Sequence, residues 1–353
     1  MLDVGWLFIS VAVAVITGLL LKKLKVPGGM LVGALLGVAI LQIITNNVVI
    51  LPGIKDMSQI ISGVFVGSAL NVNDLKRLPR LWKGFVVIII GLLLLNITNG
   101  YLLSLLTDLT PITALFSSIP GGMSSIPIIS GDYGADPITV SVIQFSRMIV
   151  GVGLFPTIAD RLSTRLEGET YTVADGKPKI LEPTIQQNRQ IPKYIALAIV
   201  TIASLIIRQF VTGITLLALA ILVTLALKLT FGVEKLPTWT RQVAQVFSGW
   251  YIGSVFGIDQ FLHLVDLILP IIIVILVYLV GCLTIGLVVH KVQKLSLKDS
   301  MLASLPAGAS DMVLIMDDLN VTNYDIVIYQ VFRLVVVTTF FPEIAIFIAN
   351  VLA

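Results

Sequence analysis

Charge is what this sequence lacks most. Asp, Glu, Lys and Arg make up 12% of its 353 residues, against roughly 25% in soluble domains. So little charge cannot cover a water-soluble protein of this size, and the soluble enzyme classes are excluded. Cysteine occurs once, Cys282, inside an apolar run, which excludes an intrachain disulfide. The two histidines, His263 and His290, stand at opposite ends of one hydrophobic segment. Copper, iron and zinc centres need clustered His, Cys or carboxylate ligands, so no metal and no cofactor is expected. A GxxxxGK[ST] loop is missing, which argues against an ATP-driven pump. The net charge is +3 and the basic residues sit in short loops. That pattern suits orientation signals rather than a nucleic-acid patch, and no nucleic-acid partner is expected. The first run, MLDVGWLFISVAVAVITGLL, has no basic stretch before it and no small-residue cleavage site. This predicts a retained first helix.

Apolar sequence is what remains. A membrane span takes about 20 apolar residues. Apolar segments run over 4–21, 29–44, 57–70, 84–106, 112–130 and 137–160, then over 193–211, 213–230, 242–256, 264–290, 299–316 and 324–350. Between the two sets lies the one extended hydrophilic stretch, 161–192. The pattern predicts an all-α polytopic membrane protein with a first repeat at 1–160, a polar linker at 161–192 and a second repeat at 193–353.

A fixed offset of 186 residues supports the duplication without gaps. Gln59, Ser62, Gly63, Gly67 and Ser68 match Gln245, Ser248, Gly249, Gly253 and Ser254. Pro120, Gly122, Ser124 and Asp132 match Pro306, Gly308, Ser310 and Asp318, and Gln144, Arg147 and Pro156 match Gln330, Arg333 and Pro342. Polar, Gly and Pro identities at one offset are far harder to obtain by chance than apolar ones. Basic residues cluster at Lys22–Lys25, Lys76–Lys83, Arg161–Arg165, Lys228–Arg241 and Lys291–Lys298. They all fall on one side only if one segment per half turns back. Since Lys and Arg collect in cytoplasmic loops, the expected topology has inverted halves of about five spans each. The termini are then outside, the linker is cytoplasmic and the location is the cell membrane.

The segments that turn back are 112–130 and 299–316. Each is interrupted, by SSIPGGMSSIP and by SLPAGASDM. Pro removes a backbone donor and Gly loosens a helix. A broken helix at membrane depth survives where it is buried or lines a cavity, and matched breaks in two halves mark binding sites. A harmless kink is the alternative.

VPGGMLVGALLG at 26–37, IPGGMSSIPIISGDYGAD at 119–136, QFSRMIV at 144–150 and the weaker second copy LPAGASDM with YQVFRLVVV resemble the AbrB-type membrane protein family. The resemblance covers essentially the whole chain, and its PGG-M and Q-x-x-R elements are the most specific. It implies a tandem membrane duplication, residence in a membrane and an association with regulation of gene expression. The family is sometimes labelled an ammonia monooxygenase. It is distinct from the small soluble DNA-binding regulator of the same name.

Arg147 and Arg333 lie inside apolar runs, each three residues after a glutamine, Gln144 and Gln330. An intramembrane Arg normally faces the bundle interior with a partner. Such a Gln-Arg face suits a carboxylate or other anion. The competing reading is structural, with Arg paired to Asp132 or Asp318 or capping a broken helix. Pro120, Gly121, Gly122, Ser124 and Ser125, with Pro306, Gly308, Ser310 and Asp311, complete the candidate substrate site. Half-helix N-termini there offer N–H groups to an anion, and unwound carbonyls could hold Na⁺. Asp311, Asp132 and Asp318 are candidate coupling-ion residues, Asp311 with a helix cap as its alternative. Asp136-Pro137 reads as an N-cap followed by Pro at N1.

Three functions fit to different degrees. The first is a secondary transporter of a small, anionic solute coupled to H⁺ or Na⁺, not an enzyme. Its expected partners are that solute, the lipid bilayer and a second copy of the chain in a homodimer. The second is a membrane sensor or regulator of gene expression. The third, a membrane oxygenase, lacks a ligand cluster.

Overall fold

The computed structural model describes residues 4–24, 26, 28–69, 72–122, 125–167, 191–210, 214–256, 263–307, 312, 315–316, 319, 321, 323 and 325–352. The first half holds α1 (Val4–Lys23), α2 (Gly29–Thr45), α3 (Ile54–Ala69), α4 (Val72–Leu106), α5 (Pro111–Ser117), α6 (Ile126–Ser130) and α7 (Pro137–Glu167). The second holds α8 (Lys193–Phe210), α9 (Leu216–Phe231), α10 (Thr238–Ser254), α11 (Ile268–Gln293), α12 (Leu297–Ser304) and α13 (Asp325–Leu352). Single 3₁₀ turns occupy Gly131–Tyr133 and His263–Leu267. Among the described residues, six stretches are long and apolar enough to cross a membrane: Val4–Lys23, Pro79–Leu106, Pro137–Leu166, Lys193–Phe210, Val265–Gln293 and Asp325–Val351. The chain is an all-α polytopic membrane protein. α4 starts at Val72 rather than near 84, because the basic stretch ahead of the apolar run continues the helix through Pro79.

Packing recurs at the sequence offset. α1 buries Ser10, Ala14 and Gly18, and α8 buries Ala196, Val200 and Ser204. Each set is one narrow stripe spaced by four residues, the period of a helix face. The remaining apolar surface of both helices is exposed, as for helices bathed in lipid. Elsewhere the halves interlock. Gly63 and Gly67 of α3 pack against Ala220 and Thr224 of α9, while Gly249 and Gly253 of α10 pack against Ala34 and Val38 of α2. The absent side chains let backbones approach closely, the usual basis of helix association in lipid.

The halves are also antiparallel. The Gly84 N–H donates to Gln293 Oε1 at 3.2 Å. Farther along, Gly91 faces Ile285 and Gly281 faces Leu95. Positions rise along α4 as they fall along α11, so these repeat mates run in opposite directions. A pseudo-two-fold axis passes close to Leu95 and Gly281, which are themselves mates. Polar networks mark the two ends of the bundle. At one end Arg77 and Arg80 approach Asp325 at 3.7 and 4.0 Å, and Lys298 bridges to Asp160 at 2.7 Å. At the other, Lys55 pairs with Asp132, and Arg208 with Asp56 at 3.0 Å. α13 links the ends, running from Asp325 to Glu343, about 27 Å at helical rise.

Candidate functional site

Each broken segment begins with a proper helix start. The Thr110 side chain accepts from the Thr113 N–H ahead of Pro111, and the Ser296 side chain accepts from the Asp299 N–H. Each half-helix then stops. α5 ends at Ser117, with Pro120 buried just beyond it, and the chain turns at Gly122, whose φ of 66° favours glycine. α6 resumes at Ile126 for five residues. It is too short to present a helix N-terminus to an anion, so that expectation fails in the first half. Ser125 lies buried at its start. α7 opens as expected, with the Asp136 carboxylate accepting from the N–H groups of Ile138 (3.0 Å) and Thr139 (3.2 Å).

A helix end leaves carbonyls without partners, and in a bilayer they must be satisfied internally. Side chains from neighbouring helices do this. At α5, Asn96 Nδ2 donates to Leu115 O (3.0 Å), Gln144 Nε2 to Phe116 O (2.9 Å) and Arg147 to Ile119 O (2.9 Å). The Tyr278 hydroxyl donates to Ser118 O. At α12, Gln330 Nε2 donates to Leu302 O (3.0 Å) and Leu305 O (2.9 Å). Arg333 donates to Leu305 O (3.0 Å) and Ala307 O (2.7 Å). The contacts Gln144–Phe116 and Gln330–Leu302, and Arg147–Ile119 and Arg333–Leu305, are the same contacts 186 residues apart.

Both arginines therefore cap broken half-helices. Pairing with Asp132 is corrected: Asp132 binds Lys55, and Gln59 Nε2 donates to it at 3.4 Å, on the 3₁₀ turn before α7. Of the carbonyls at the breaks, those of Ser118, Ile119, Leu305 and Ala307 already accept from phenol and guanidinium donors. Neither arginine has a carboxylate ion partner among the described residues. The two sites adjoin: Leu305, whose carbonyl accepts from Arg333, shares a cavity wall with Arg147, Tyr278 and Cys282. Two guanidiniums with no carboxylate partner among the described residues are costly inside a bilayer protein.

The two differ in access. Arg333 is 1% exposed and Arg147 is 7% exposed. Arg147 stacks on the Tyr278 ring, 4.7 Å from its centroid. It lines a cavity between α7 and α11 with Gly151, Tyr278, Cys282, Leu305 and Pro306. Arg147 and Pro306, from opposite halves, thus share one cavity. Gln144 and Gln330 are fully buried, and their Oε1 atoms have no hydrogen-bond partner among the described residues. Ser124, Gly308, Ser310, Asp311 and Asp318 lie outside the described residues. Among the described residues no group of three or more His, Cys, Asp or Glu could hold a metal ion.

Sequence reasoning missed Tyr278, Cys282, Asn96 and Glu343. Asn96 and Glu343 carried a signal, a polar residue within an apolar run. Tyr278 and Cys282 did not, because they replace Leu92 and Asn96 of the first half. Glu343 accepts from the Thr215 N–H at 3.0 Å, where α9 begins. Nearby, burial and then the Glu343 and Asp132 carboxylates hold the Tyr133 phenol above its ordinary pKa, so it stays a neutral donor.

Comparison with known proteins bears on this geometry. The chain is 24% identical over 298 residues to "Uncharacterized protein YhjN" of Bacillus subtilis (strain 168), covering 81% of this chain and 76% of that one. It is 24% identical over 293 residues to "Putative regulator AbrB" of Escherichia coli (strain K12), covering 83% and 82%. The family model described as "Transition state regulatory protein AbrB" matches residues 44–349, which includes both broken segments and both arginines. With most of its length matched, this chain belongs to the AbrB family.

Proposed function

We propose that this protein is a secondary transporter of a small anionic solute. One observation carries the reading: two antiparallel halves bring together two broken helices and two guanidiniums that have no carboxylate partner among the described residues, with Arg147 facing a cavity shared by both halves. Inverted repeats with discontinuous helices near the bilayer midplane are the usual architecture of alternating access. Arg147 supplies the charge, the Tyr278 ring fixes its plane, and the Pro306 break gives the wall a hinge. In this reading the protein sits in the cell membrane with termini outside and the linker cytoplasmic. It couples to H⁺ or Na⁺ and performs no enzymatic chemistry. A membrane sensor affecting gene expression is the second reading, favoured by the name of the Escherichia coli relative.

A ligand-stabilisation screen of purified protein tests the binding step. Small acids, amino acids and ammonium are compared at two pH values, with and without Na⁺. A ligand at 100 times its Kd stabilises the native state by about 2.7 kcal/mol. The expected result is an upward shift of the melting temperature with an anion, lost in Arg147→Gln. Stabilisation by ammonium alone, unchanged in Arg147→Gln, would remove the anion from the account.

A further inference from the structure

The chemistry of the cavity wall narrows the solute class, on the premise that Arg147 binds an anion. Among the described lining residues Arg147 is the only charged one. Arg333 is withdrawn, with two of its nitrogens on the Leu305 and Ala307 carbonyls. The Tyr278 hydroxyl is committed to the Ser118 carbonyl. The remaining described wall is apolar: Met148, Val150, Phe155, Ile275, Leu279 and Leu305. The space is small as well. It offers about 30 Å³ to the centres of water-sized groups, roughly two to three times what one water requires.

We infer that the solute is a short, unsubstituted monocarboxylate of the acetate-to-butyrate class, with its carboxylate on Arg147 and its alkyl end against the Phe155, Ile275 and Leu279 wall. A carboxylate finds a guanidinium edge and forms charge-assisted hydrogen bonds. A second carboxylate finds no second open guanidinium. An ammonium group meets the Arg147 guanidinium and no carboxylate among the described lining residues. A hydroxyl finds, beyond the committed Tyr278 and the weakly bonding Cys282 thiol, only apolar side chains among the described lining residues, and a buried polar group without a good hydrogen bond is costly.

Gly151 lines the same cavity without a side chain. A Cβ at this position would meet only the Leu305 Cδ1 atom, at 3.7 Å, an ordinary contact. A methyl group there shortens the cavity without forcing the backbone to move.

Titration calorimetry on the purified full-length protein tests the class with acetate, propionate, butyrate, lactate, alanine and succinate. The expected order places propionate and butyrate tightest. Lactate should bind about tenfold weaker, and alanine and succinate weaker still, in line with the 10–200-fold that small changes in an apolar pocket achieve. Gly151→Ala should weaken butyrate several-fold while leaving acetate unchanged. Lactate, alanine or succinate binding as tightly as propionate, with the binding lost in Arg147→Gln, overturns this class and leaves the anion reading standing. Absence of binding by all six overturns both. Should Gly151→Ala prove unstable, Phe155→Leu enlarges the same wall, and it must raise the relative affinity for butyrate.

Discussion

Replacing Arg333 by methionine is expected to destabilise the purified protein by about 3 kcal/mol. Each hydrogen bond to a charged group contributes about 1.5–3 kcal/mol, and Arg333 makes two, to Leu305 and Ala307. Removing a charge from the membrane interior offsets part of the loss, because burying a guanidinium there is costly. Arg147→Met should cost less, about 1.5–3 kcal/mol, because that side chain satisfies one carbonyl directly. Arg333→Lys keeps the charge but not the planar fork, so it should fall between wild type and Arg333→Met. Chemical denaturation in mild detergent reads all three. If Arg333→Met is as stable as wild type, the guanidinium does not hold the second break together.

Gly249→Val should have an effect as large, by a different route. A Cβ at Gly249 would stand 2.5 Å from the Leu31 carbonyl oxygen and 2.8 Å from the Ala34 Cβ. Both partners are parts of a helix that cannot swing aside. Overpacking of this kind costs about 1–3 kcal/mol and sometimes more, and here it would prise α10 from α2. At its mate Gly63 a Cβ would meet the Ala220 Cβ at 2.6 Å, so Gly63→Val should behave alike. A Cβ at Gly153 would meet nothing within 4 Å, and Gly153→Ala serves as the neutral control. Yield of monodisperse protein and melting temperature provide the comparison. Normal values for both valine variants would mean that the interlocked halves contribute little to stability.

Much of this arrangement is legible in the sequence, for a physical reason. Membrane helices must be long and apolar, and a broken helix needs Pro and Gly, so the positions of α1, α7, α13 and the break at Pro120 follow from composition. The 186-residue offset could be read because Gln, Arg and Gly mates make the same contacts in each half. What the sequence could not show was partner identity. An intramembrane arginine suggests a carboxylate, yet Arg147 and Arg333 bind backbone carbonyls, and carbonyls are present at every residue. The asymmetry was hidden as well. Tyr278 beneath Arg147, against Leu92 at the mate position, is a difference that matters only once the helices are packed.

The central claim is that both membrane faces reach the Arg147 cavity in turn, and one cysteine measures it most directly. Gly151 lines the cavity, and Cys282→Ala removes the native thiol. In that background Gly151→Cys is reconstituted in sealed vesicles, and a membrane-impermeant thiol reagent is added on one side or the other. The account predicts modification from both sides, slowed on each side by propionate and unaffected by succinate. Modification from a single side, at a rate indifferent to every anion, would contradict alternating access and favour a fixed membrane sensor.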